Sequence, residues 1–203
     1  TGQGENVSIS LSLEMTAGEN SVRLTFSRQS AGGITDRLDD AKAVQLILRP
    51  DIESRNFHAT TKAYQGPEDQ WPHSVSAFSD GFDFAPDTDH RLRVRMDRAA
   101  FVSEPEWLYM IHRSQDAGRG HDPDSDLFSP GYLSVFVEGD QAATLWARAG
   151  NAAELPPDPP VMPAMTACTA AKATTYSMAA PATRMCFSAA ESSTAMTATS
   201  TRE

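Results

Sequence analysis

The feature that most constrains the fold is a strict two-residue alternation near the start of the chain. Val7, Ile9, Leu11, Leu13 and Met15 alternate with Ser8, Ser10, Ser12 and Glu14. That period places every apolar side chain on one face of an extended strand. Ala17-Gly18-Glu19-Asn20 supplies turn residues, and Val22, Leu24 and Phe26 resume the alternation. The two runs predict an antiparallel hairpin with one buried and one wet face. Residues 44–48 form a more continuous apolar run, which predicts a central strand covered on both sides. Residues 75–78 and 82–84 flank Ser79-Asp80-Gly81, the chemistry of a tight hairpin. Leu92, Val94 and Met96 alternate with Arg91, Arg93 and Arg95, and β-forming runs recur at 107–112, 132–137 and 144–147. Nine or ten short strands with no amphipathic helix of three turns predict an all-β, antiparallel β-sandwich of supersandwich-like layout.

Composition locates where that fold ends. Of 27 Asp and Glu and 17 Lys and Arg, 24 acids and 14 bases precede Pro156, so the formal net charge of -10 belongs to the first part. All five His and all three Trp lie there too, whereas both Cys and five of eight Met lie beyond it. Pro156-Pro157-Asp158-Pro159-Pro160 breaks any regular element, and the remainder is dominated by Ala, Thr, Ser, Met and Pro. The reading is therefore a sandwich over residues 1–150 and a Pro/Ala/Thr-rich, disordered tail over 151–203. A reading-frame shift in a GC-rich gene would also produce such a tail. The acidic balance argues against nucleic acid and anionic membranes as partners, and no apolar run is long enough for a membrane helix. Thr1-Gly2-Gln3-Gly4 shows no secretory leader and the sandwich portion has no Cys, so a cytoplasmic setting is expected.

Three stretches depart from strand punctuation. In the first, residues 49–58, Arg55, Asn56 and His58 offer hydrogen-bonding groups to sugar hydroxyls. The competing explanation is a network of Arg49 or Arg55 with Asp51 or Glu53 that pins a crossover. In the second, Glu104 and Glu106 sit beside Trp107 and Tyr109. Paired carboxylates near aromatics occur in glycosidase sites, but alternation alone explains core aromatics beneath a wet carboxylate face. The third, residues 119–132, is read as a long loop in which Asp122, Asp124 and Asp126 resemble the start of a calcium loop. Leu127 and Leu133 occupy the places that need Gly and Glu, so that motif fails and no metal is assigned. No phosphate-cradling glycine loop, nucleophile elbow or His-Glu-x-x-His run is present, and the residues alone assign no catalytic group and no cofactor.

The motifs Leu48-Arg49-Pro50-Asp51-Ile52-Glu53-x-Arg55-Asn56-Phe57-His58-x-Thr60-Thr61-Lys62-Ala63, Glu106-Trp107-x-Tyr109 and Asp126-Leu127-Phe128-Ser129-Pro130-Gly131-Tyr132 occur in this order. With Arg119-Gly120-x-Asp122, they resemble the N-terminal domain of bacterial and archaeal glycogen debranching enzymes, the amylo-α-1,6-glucosidase-related glycoside hydrolases. The resemblance covers about residues 1–150. It implies a non-catalytic β-sandwich, truncated at its start, that packs on a separate catalytic (α/α)6 barrel and helps shape a cleft for an α-glucan such as glycogen. The barrel's Asp-Trp-Gly-Arg-Asp-type landmark does not occur in this chain, so no catalytic residue is carried over. By position, Arg55, Asn56, His58, Asp122, Asp126 and Tyr132 become candidates for the substrate rim or the domain interface. A free-standing carbohydrate-binding module and a purely structural or partner-binding sandwich are the alternatives.

Overall fold

The computed structural model describes residues 6–34, 36–56, 58–151 and 154–155, and the backbone alone of 183–190 and 197–201. Nine strands build the sandwich: β1 (Ile9–Met15), β2 (Ser21–Arg28), β3 (Val44–Arg55), β4 (Val75–Phe78), β5 (Gly81–Phe84), β6 (Arg91–Met96), β7 (Ala100–His112), β8 (Asp124–Val137) and β9 (Ala142–Gly150). One sheet has the order β1-β2-β9-β6-β5-β4 and the other holds β3-β8-β7, with every pairing among these nine antiparallel. The all-β sandwich expected from the alternation is the fold observed. The tail lies largely outside the described residues. The backbone of β10 (Thr183–Ala190) runs parallel to β3, and β11 (Thr197–Thr201) pairs antiparallel with β10.

The core is the sum of the inward positions of both sheets. Val22, Leu24, Phe26, Val94, Met96 and Leu145 from one sheet meet Leu48, Ile52, Phe128, Leu133, Val135 and Val137 from the other. Each such side chain contributes about 1.5–3 kcal/mol on leaving water. Several outward positions on the larger sheet are charged: the Asp83 carboxylate accepts two bonds from Arg93, at 2.9 and 2.8 Å, and lies 3.2 Å from Arg95. That pairing explains the arginine alternation in β6. A helical segment between β3 and β4 inserts Trp71, which stacks on Trp107 at 5.4 Å and meets Phe84 and Phe128 edge-on. Aromatic pairs in these geometries add to simple burial.

Three local expectations need correction. The hairpin of β1 and β2 forms in the expected register, Leu13 opposite Leu24, but β1 is exposed along its whole length. Its apolar residues share the inward side with Val22, Leu24 and Phe26, yet Leu11, Leu13 and Met15 remain 47–52% exposed. The second sheet is narrower than the first and does not reach beneath them. The start of β3 is likewise covered on one face only, because Gln45 and Ile47 point outward and stay exposed. Finally, the Asp-rich stretch is not a long loop: strand β8 already begins at Asp124. Its acids are accommodated because their oxygens are matched by side-chain and main-chain donors, described below.

Gly131 marks a break in strand pairing. Leu48 pairs with Leu133 and Ile52 with Phe128, so β8 carries one residue more than β3 across this interval. Gly131 has φ 152°, and a Cβ there would sit 2.1 Å from the Val102 carbonyl oxygen. Gly131→Ala is therefore expected to destabilise the domain by about 2 kcal/mol or more, read as a lower urea midpoint.

Candidate functional site

The end of the smaller sheet where β3 finishes, β8 begins and β7 finishes collects most of the candidate residues. Its hub is Glu53, whose side chain is fully enclosed. The carboxylate accepts hydrogen bonds from Ser125 Oγ and Arg113, and from Arg55 Nε at 3.3 Å. Arg55 also donates to the Ala59 carbonyl at 2.6 Å and lies 3.8 Å from Asp116. Two guanidinium groups and a hydroxyl thus satisfy one buried carboxylate, the arrangement that makes burial of charge tolerable. Of the two explanations for the first stretch, the Arg55 geometry is that of the pinned crossover. Arg49 belongs to a different network and binds Glu104, with Glu106 at 3.2 Å, on the outer face.

Beyond Glu53 the groups face water. The exposed Asn56 side chain accepts the His58 amide at 3.1 Å, and the His58 ring lies 5.3 Å from that of His121. Asp122 accepts the Asp124 amide at 3.1 Å and faces Lys62 Nζ at 3.0 Å and Thr60 Oγ1 at 3.5 Å. Asp124 contacts His112 Nδ1 at 2.9 Å. Asp126 is turned inward and 4% exposed, accepting the amides of Ala63 at 2.8 Å and Met110 at 2.9 Å. The three aspartates therefore look in three directions, which a shared cation would not permit. Among the described residues no group of three or more His, Cys, Asp or Glu side chains is placed to hold a metal.

The Asp124 amide, and then Lys62, hold the Asp122 carboxyl below its ordinary value of 3.8. Asp122 in turn raises the Lys62 ammonium above 10.5. A depressed carboxyl contributes stability above the unfolded value and loses it as pH falls through the folded one. The raised ammonium keeps its contribution until the solution is more alkaline than 10.5. Asp122→Asn is thus expected to lower Tm by about 2 °C at pH 7, the scale of an exposed pair. The gap should close as pH drops below 3.8, as thermal melts at stepped pH would show.

Tyr132 stands apart from this cluster, about 20 Å along the sheet at ~3.3 Å per residue. It lies beneath the Arg49 guanidinium, 5.6 Å from the ring centroid. Around it the outer face of β3-β8-β7 exposes Ile47, Val102 and Phe136, at 43, 39 and 54%. The six sequence candidates thus divide into an outward rim (Asn56, His58, Asp122), two structural anchors (Arg55, Asp126) and one residue on an apolar sheet face. Lys62, His112 and His121 join the rim, and Arg113 joins Arg55 at Glu53, without having been candidates. His121 neighbours Asp122 in sequence and Lys62 belongs to the first motif; His112 ends β7 and Arg113 follows it. Trp107 is inside, as alternation required, but Tyr109 is 53% exposed and donates to Glu68 at 2.7 Å. A break in pairing between Leu108 and Ile111, with Met110 at φ 58°, turns it out of the core.

The family model for the N-terminal region of glycogen debranching enzyme matches residues 3–144, nearly all of the nine-stranded sandwich. Neither the curated proteins nor the solved structures include a match. Among the described residues no helix is long and apolar enough to cross a membrane. The matched span contains all six candidate residues and strands β1 to β8 and ends within β9, and the chain belongs to the glycogen debranching enzyme N-terminal domain family.

Proposed function

We propose that this sandwich is a non-catalytic accessory domain of a glycogen-debranching α-1,6-glucosidase. It packs on the catalytic (α/α)6 barrel and helps shape the entrance to the α-glucan cleft. The observation that carries the reading is the outer face of β3-β8-β7, where Ile47, Val102 and Phe136 stay exposed beside Tyr132. Arg49, Glu104 and Glu106 border these residues with paired charges. An apolar patch with a polar border is the usual form of a protein interface rather than of a solvent-facing sheet. The carboxylates of the site support the non-catalytic part. Glu53 and Asp126 are enclosed and occupied, and Glu104 and Glu106 pair with Arg49. Glycoside hydrolysis needs two carboxyl groups facing one bond across an open gap.

The test is to mix the chain with the catalytic barrel of a debranching enzyme and measure association by analytical ultracentrifugation. Wild type should form a complex that Phe136→Asp abolishes, and the chain alone should release no glucose from a branched limit dextrin. Glucose release by the chain alone, or no association with the barrel, would sink the proposal. The carbohydrate-module alternative is separated from it by affinity electrophoresis in glycogen, where that alternative requires retarded migration without any barrel present.

A further inference from the structure

The flank of β1 that the smaller sheet leaves bare is also the least protected strand edge of the sandwich. Of its nine strands, β1, β4 and β7 stand at outer edges. An open edge offers unpaired main-chain groups to any other strand, and proteins blunt it by brevity, proline, bulges or charge. β4 has only four residues. β7 carries Glu104, Pro105 and Glu106 and two breaks in pairing. β1 lacks these devices over its seven residues. It has no proline, no break in its pairing with β2, and a single charge, Glu14, drawn back to Arg23 at 3.4 Å. The Gln29 amide donates to the Ser8 carbonyl and the Thr16 amide to that of Ser21, so the even-numbered residues bond toward β2. By the alternation of an antiparallel ladder, Ile9, Leu11, Leu13 and Met15 aim their N–H and C=O groups at the open side. These are the same four residues whose side chains stay exposed.

We propose that the occupant of this edge is a second copy of the chain, with β1 pairing antiparallel to its own counterpart about a two-fold axis at Ser12. Such a contact needs a strand that matches itself when reversed. Ile-Ser-Leu-Ser-Leu-Glu-Met does so. With Ser12 opposite Ser12, Leu11 faces Leu13, Ile9 faces Met15 and Ser10 faces Glu14 across the axis, and all seven residues are paired. Every apolar side chain then meets an apolar one and no like charges meet. The apolar pairs are also the ones that exchange main-chain bonds, because their N–H and C=O groups point to the open side. The larger sheet becomes continuous through both copies, six strands from each. A net charge of -10 on each chain opposes the approach, so added salt should strengthen a contact made of main chain and apolar groups. This contact is independent of barrel docking, which uses the outer face of the other sheet.

The experiment is sedimentation velocity on the full chain over a concentration series. Wild type should pass from monomer to dimer as concentration rises through about 10–100 µM, an affinity suited to an interface below standard size. Leu11→Pro removes an N–H on the open side only and should weaken the dimer at least about tenfold while melting like wild type. Leu13→Lys, which sets two ammonium groups beside the axis, is the second variant and should weaken it as much. Phe136→Asp, on the outer face of the smaller sheet, should dimerise unchanged. Register is read from single cysteines in a Cys168→Ser, Cys186→Ser background. Ser12→Cys should cross-link on oxidation, because the Cα atoms of such a facing pair lie about 4.5 Å apart, and Ser10→Cys should not. A monomer throughout that range, a dimer that survives both β1 variants or is lost in Phe136→Asp, or cross-linking at Ser10 in preference to Ser12 would each overturn the proposal. None of these outcomes bears on association with the barrel.

Discussion

Replacing Glu53 by alanine should lower the stability of the domain by about 3 kcal/mol, within the range for breaking a buried ion pair. The loss comes from what remains: Arg55 and Arg113 keep their charges, and Ser125 keeps a buried hydroxyl, around an empty centre. The two arginine side chains are 12 and 25% exposed, so water offsets part of the cost and keeps it at the lower end. Urea unfolding at pH 7 should show the lower midpoint with an unchanged slope, and Tm should fall by about 6–12 °C. Glu53→Gln preserves shape and one acceptor oxygen and should cost clearly less. Equal loss in both variants would mean that charge, not hydrogen bonding, holds the crossover together. No loss in Glu53→Ala would remove Glu53 from its place as the hub.

Arg28→Met should be nearly as damaging, at about 2–4 kcal/mol. Arg28 is 2% exposed, and its guanidinium donates to four main-chain carbonyls rather than to a carboxylate. Those of Leu38 and Asp39 lie at 3.0 and 2.9 Å, that of Val137 at 3.3 Å, and that of Lys42 completes the set. The carbonyls belong to the connection leading to β3 and to the end of β8, so one side chain ties both to the end of β2. Methionine fills the space of the stem but leaves buried acceptors without donors. Lysine should rescue little, because a compact ammonium cannot span the width of the guanidinium fork. Urea denaturation of the two variants would check both statements; full rescue by lysine would show that charge alone suffices.

The sequence displays the parts of this fold that are local. Strand alternation in β2 and β6, the Asp-Gly hairpin between β4 and β5, and the placement of Trp107 inside all follow from period two and turn chemistry. The parts that depend on which strands lie opposite one another are not displayed. β1 carries as regular a pattern as β2, yet nothing in its own residues says that the facing sheet stops short of it. Tyr109 obeys the alternation until a pairing break at Met110 re-aims it. Arg28 looks like any strand-end charge, since its four acceptors lie between ten and 109 residues away.

The candidate site was legible in the same uneven way. Residues 49–58 and 119–132 do converge, and of the six rim or interface candidates Asn56, His58 and Asp122 face water. Asp126 could not be told from Asp122 by residue type. One faces water and the other binds two amides, a difference created by the Ala63 and Met110 backbones that meet it. Tyr132 matched the motif but sits at another level of the sheet, because a strand of 14 residues spreads one motif over two places.

The bare flank of β1 has a consequence for how the molecule comes apart. Among the described residues β1 pairs with β2 alone and stays exposed along its length, which adds main-chain bonds but little cooperativity, so its opening is uncoupled from the rest. The remaining eight strands share the enclosed aromatic cluster and the networks centred on Glu53 and Arg28 and will melt together. The unit that folds in one step is therefore smaller than the sandwich one counts on paper, with the first hairpin arm free to leave and return on its own.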